Sequence, residues 1–91
     1  MKDEQVLQIF MQVLSDANRL KIVRFIADEE KSVSQIVETM GLSQPLVSHH
    51  LRVLREQSIL ETRRQGPFVF YSLSDTRLLE ALSLLLELAS P

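Results

Sequence analysis

A chain of 91 residues fits one compact domain over residues 1–91 and leaves no room for a second. Hydrophobic residues make up 45 % and charged residues 24 %, too apolar a balance for a disordered chain, and the absence of cysteine excludes disulfides, thiolate metal sites and thiol redox switching. A net charge of -2 excludes a protein coated in positive charge, so any polyanionic partner must meet a local cationic face.

The chain opens MKDEQVLQIF, with acids and glutamines where a secretory leader needs a clean apolar stretch. No apolar run reaches the roughly 20 residues that span a bilayer, so the expected compartment is the cytoplasm. In residues 3–14, Val6, Leu7, Phe10, Met11 and Leu14 recur at helical spacing, and Ile9 and Val13 widen the apolar face. Ser15 and Asp16 offer side-chain oxygens to cap a second helix, in which Leu20, Ile22, Val23, Ile26 and Ala27 form the apolar stripe up to the acidic run Asp28-Glu29-Glu30. Ser32 with Gln35 three residues on makes a capping-box pattern. Ile36, Val37 and Met40 follow, and Gly41 suits a left-handed end to a short third helix.

Only Leu42 and Ser43 separate Gly41 from a fourth helix, which Ser43 can cap and which carries Pro45 in its first turn, where a missing N–H costs little. It should run to about Gln57. Leu46 or Val47, with His50, Leu51 and Leu54, makes its inward stripe, while Gln44, Ser48, His49, Arg52 and Arg55 lie toward the other side. Residues 60–64 and 68–73 are strand-like and are joined by Gln65-Gly66-Pro67, which predicts a hairpin. Ser74 and Asp75 then cap a last helix from Thr76 to about Ala89. Leucines at 78, 79, 82, 84, 85, 86 and 88 cover nearly all its circumference, more than a helix with a watered side tolerates. The fold expected is mainly α with a small β-hairpin, and both leucine-rich ends are candidate subunit interfaces.

Two helices joined by a short glycine-containing turn, over residues 34–57, have the helix-turn-helix form whose second helix enters the DNA major groove; the same pair could also merely build a core. A hairpin carrying Arg63, Arg64 and Gly66 directly afterwards is what a DNA-binding wing needs, because its cations lie along the phosphate backbone. Taken alone, Arg63-Arg64 serves equally as a charged strand edge. Between residues 43 and 73, Arg52, Arg55, Arg63 and Arg64 stand against Glu56 and Glu61, so that stretch carries +2 and the rest of the chain -4.

The segments SQPLVSHHLRVLRE (43–56), ILETRRQG (59–66) and FYSL (70–73), with LSDANRLKIV (14–23) upstream, resemble the ArsR/SmtB family of bacterial and archaeal transcriptional repressors over nearly the whole chain. The resemblance implies a winged helix-turn-helix with the hairpin between the fourth and fifth helices, and a homodimer formed by the first and last helices. It implies double-stranded DNA as partner, contacted by Ser43, Gln44, Pro45, Ser48, His49 and Arg52 of the reading helix and by Arg63, Arg64, Gln65 and Gly66 of the wing. A two-fold dimer calls for an imperfect palindromic operator. Its interface would draw on Val6, Leu7, Phe10 and Leu14 with Leu78, Leu79, Leu82, Leu85 and Leu86.

Metal-sensing relatives use a cysteine pair where Ser32 and Ser34 stand here, or an Asp-x-His motif opening the last helix. Asp75-Thr76-Arg77 keeps only the aspartate of that motif, and its later positions fall on Leu88 and Pro91. His50 lies on the packed stripe and is read as structural; His49, its neighbour, points elsewhere, which makes a poor metal pair. No metal or cofactor is expected, and no membrane partner, since residues 76–91 hold only Arg77 as a cation. Ser58 occupies the family's usual glycine position after the fourth helix, so a small adjustment is expected there. With its only histidines side by side on a helix, the chain is not expected to be an enzyme. The competing reading is a winged-helix module that binds another protein through its leucine-rich helix and no DNA.

Overall fold

The computed structural model describes residues 2–90. Helices α1 (Asp3–Leu14) and α2 (Ala17–Ile26) are followed by a two-residue strand β1 (Lys31–Ser32), helices α3 (Val33–Met40) and α4 (Gln44–Glu56), strands β2 (Leu60–Gln65) and β3 (Phe68–Leu73), and helix α5 (Arg77–Ala89). The caps follow local chemistry. Asp16 Oδ1 accepts from the N–H groups of Asn18 at 2.8 Å and Arg19 at 3.1 Å, so Asp16 alone caps α2. Ser15 turns back and donates its hydroxyl to the Gln12 carbonyl, closing α1 instead. Ser32 and Gln35 form the reciprocal box expected of them, and Gly41 ends α3 with φ 66°.

Four local expectations are corrected. Ala27, read as part of the apolar stripe of α2, is its C-cap at φ 52° and ψ -131°, a backbone region that suits glycine and strains alanine. Strand β1 is new: it pairs antiparallel with β3, Lys31 opposite Tyr71 and Ser32 opposite Phe70, giving the sheet order β1-β3-β2. Strand β2 runs on through Gln65, so the turn is only Gly66-Pro67, with Gly66 at φ 59° in the position a two-residue II′ turn reserves for glycine. Helix α5 starts one residue later than expected, and Ser74 does not cap it; Asp75 accepts from the Arg77 N–H at 2.9 Å, while the Ser74 N–H binds the Ile59 carbonyl.

The core is built around α2, whose Ile22, Val23 and Ile26 are fully buried against Ile36 of α3 and Leu51 and Leu54 of α4. Of the two candidates for the first inward position of α4, Val47 is buried and Leu46 remains 39 % exposed. The end of α4 is a Schellman turn: the Ser58 N–H binds the Arg55 carbonyl at 2.9 Å and the Ile59 N–H binds the Leu54 carbonyl at 3.0 Å, with Ser58 left-handed at φ 58°. Serine thus keeps the conformation a glycine would adopt there without strain. This turn delivers Ile59 and Leu60 into the core and launches β2.

Candidate nucleic-acid interface

Inward packing fixes the outward face of α4. With Val47, His50, Leu51 and Leu54 turned into the core, Gln44, Ser48, His49, Arg52 and Arg55 are exposed, with Ser43 and Pro45 at the helix start beside them. His50 is 5 % exposed, and its Nδ1 lies 3.3 Å from Arg19 Nη1. A guanidinium only donates, so Nδ1 accepts, and the ring is the neutral tautomer with its proton on Nε2. Burial pushes the His50 pKa below its ordinary value, against the opposing pull of Asp16. Arg19 is itself anchored, its Nε donating to the Val13 carbonyl at 2.5 Å. One polar node therefore ties α4 to the junction of α1 and α2, and the structural reading of His50 agrees with its place.

The hairpin of β2 and β3 is in register from Leu60 opposite Leu73 to Gln65 opposite Phe68, and its tip projects beside the start of α4. A cleft of about 480 Å³ separates them, lined among others by Ser34, Gln44, Ser48, Pro67, Phe68 and Val69. The structure thus brings Gln44 and Ser48 together with the wing tip. Arg64 is exposed and makes no hydrogen bond or ion pair among the described residues. Arg63 is engaged: its Nε donates to Glu30 Oε2 at 2.9 Å, its Nη2 to Glu30 Oε1 at 3.0 Å, and its Nη1 to Gln65 Oε1 at 3.0 Å. The Glu30 carboxyl is held below its ordinary pKa by that hydrogen bond. Glu30 was legible in sequence only as part of a helix-ending acidic run, and no local pattern links it to a strand 33 residues on.

At the opposite end, Val6, Leu7 and Phe10 of α1 are exposed, whereas Leu14 is only 8 % exposed and already belongs to the core. On α5, Leu78, Leu79 and Leu82 are half-buried against the chain's own core, while Leu85 and Leu86 are exposed. Leu84 and Leu88, the latter 84 % exposed, offer more apolar surface than any α5 leucine nominated from the sequence. A groove of about 500 Å³ runs between α5 and the α1–α2 junction, with Met11, Leu20, Leu85 and Leu86 in its walls. Of the sensing positions, the Ser32 hydroxyl caps α3 and Ser34 is exposed. The Asp75 carboxyl is lowered to about 2 by hydrogen bonds from Arg77, and Pro91 lies outside the described residues. Among the described residues no group of three or more metal-ligating side chains converges, and no helix is long and apolar enough to cross a membrane.

Residues 16–62 match the family described as bacterial regulatory protein, arsR family. The chain is 39 % identical over 70 residues to the HTH-type transcriptional regulator KmtR of Mycobacterium tuberculosis, a match covering 77 % of this chain and 53 % of KmtR, so that it spans about half of that relative's length. It is 31 % identical over 75 residues to the transcriptional repressor SdpR of Bacillus subtilis, covering 82 % of this chain and 83 % of SdpR. The solved structure of HlyU from Vibrio cholerae superposes with a TM-score of 0.85 at 31 % identity, over 96 % of this chain and 95 % of that one. With the helix-turn-helix pair, the wing and the flanking helices all in place, the chain belongs to the ArsR family of transcriptional regulators.

Proposed function

We propose that residues 1–91 act as one unit, a cytoplasmic homodimeric repressor that binds a specific, imperfectly palindromic DNA site. The observation that carries this reading is the division of the molecule into a polar end, where α4 and the wing flank one cleft, and an apolar end left open by α1 and α5. Ser43, Gln44, Pro45 and Ser48 enter the major groove first, Gln44 and Ser48 hydrogen-bonding base edges, while His49 and Arg52 reach bases or phosphates. Arg64, with Gln65 and Gly66 at the wing tip, follows the backbone of the flanking groove. Val6, Leu7, Phe10, Leu85 and Leu86, joined by Leu84 and Leu88, meet their two-fold copies and set the half-sites about one helical turn apart.

In this reading the regulator either senses something other than a thiophilic metal or is controlled by its own abundance. The chain has no cysteine, and of the α5 sensing motif only Asp75 remains, its carboxylate held by Arg77. Titration of a fluorescent palindromic duplex tests the reading, with each phosphate neutralised adding about -0.9 to the slope of log affinity against log salt. Light scattering on the same sample should give twice the chain mass. A salt-independent signal, or a monomer that ignores duplex DNA, defeats the proposal, and a monomer that captures another protein would favour the interaction-module reading.

A further inference from the structure

We propose that Glu30 is a positioning residue for the wing: it holds Arg63 as a charge-neutral strut, so that Arg64 alone is the cation each wing offers to a DNA phosphate. This inference rests on the DNA-binding reading above and deepens it. Arg63 and Arg64 are successive residues of β2, so the alternation of a strand sends them to opposite faces of the hairpin. On one face the Arg63 guanidinium grips the Glu30 carboxylate through Nε and Nη2, in the side-on fork arrangement, and gives a third N–H to Gln65. The same guanidinium lies 4.8 Å from the centre of the Phe70 ring, its register partner on β3.

Both halves of this clamp are held by the sheet. Glu30 immediately precedes β1, and Ser32 of β1 pairs with Phe70 itself. An isolated surface ion pair contributes little, but a bidentate pair stacked on an anchored ring is the geometry in which one persists. On the other face Arg64 has no such partner among the described residues. Release of counterions from DNA needs uncompensated positive charge. A guanidinium matched by a carboxylate brings none, and if Arg63 leaves for a phosphate, the bared Glu30 stays beside the DNA as a like charge that offsets the gain. By either route the pair adds close to nothing to the salt dependence of binding.

The test compares the intact protein with three variants on the same palindromic duplex between 50 and 200 mM salt. Glu30→Gln removes the neutralising charge and should steepen the log–log slope by about 0.9 per wing, an extra loss of roughly threefold per wing over that range. Glu30→Gln combined with Arg63→Ala should return the slope to that of the parent, and Arg64→Ala with Glu30 intact should flatten it by about 0.9 per wing. A double variant as flat as Arg64→Ala, or a Glu30→Gln slope equal to the parent's, overturns the assignment of Glu30. Elution from immobilised heparin separates this from the DNA reading. If the parent ignores duplex DNA, that reading falls, yet Glu30→Gln eluting at higher salt and Arg64→Ala at lower salt than the parent still upholds the strut, and an unchanged order overturns it.

Discussion

The two ends of this molecule are finished to different degrees. The face carrying α4 and the wing is complete within one chain: four inward side chains of α4, the Arg19–His50 node and the Glu30–Arg63 clamp set which face of the helix and of the hairpin turns outward. The face carrying α1 and α5 is unfinished, because α5 has no buried residue and leaves Leu84, Leu85, Leu86 and Leu88 in water. A polar surface is built from hydrogen bonds and charge that a single chain and water can satisfy. Exposed apolar area, by contrast, is stabilised only when something covers it.

That contrast can be broken most severely from the core. Leu54→Ala removes a fully buried side chain beneath α4 and should destabilise the fold by about 2–5 kcal/mol, read as a lowered urea midpoint with loss of DNA binding. Leu85→Glu attacks only the unfinished end. It would place two carboxylates in a two-fold apolar interface at several kcal/mol each, so dimer dissociation should rise by about 100-fold or more, followed by analytical ultracentrifugation, while the monomer stays folded.

Acid sharpens the comparison at the polar end. The His50 pKa is lowered in the fold, so its contribution to stability is fully present above the unfolded value near 6.5 and is lost as pH falls through the folded value. Stability should therefore decline below about pH 6.5 by no more than about 1.4 kcal/mol per pH unit for this group. His50→Gln, which keeps an acceptor for Arg19 but cannot take a proton, should flatten that limb in urea titrations run from pH 7 to 5. The mildest change is Ser58→Gly, which relieves the left-handed serine after α4 and should stabilise by about 1 kcal/mol, raising the melting temperature by about 4–8 °C.

Much of the polar end was legible because its signals are local. Asp16, the Ser32–Gln35 box, Gly41 and Ser43 act within three residues of themselves, and the 3.6-residue period separates His50 and Leu54 from Gln44, Ser48 and Arg52. The period could not choose between Leu46 and Val47, which lie only one position apart at the rim of the stripe. On α5 it failed, because a helix with leucine nearly all round offers no contrast from which to tell Leu82, turned to the chain's own core, from Leu88, turned to water. Strand β1 is two residues long, too short to show alternation.

Taken alone, the amino-acid order determined the number and type of the main helices, the hairpin, the polar face of α4 and the excess of apolar surface at both termini, because caps and periodicity act over a few residues of chain. Only the tertiary structure decided which of two adjacent arginines is bound and which has no partner among the described residues. That choice depends on a carboxylate 33 residues away in the chain, brought within 3.2 Å by the pairing of β1 with β3, and no short-range pattern records such a meeting.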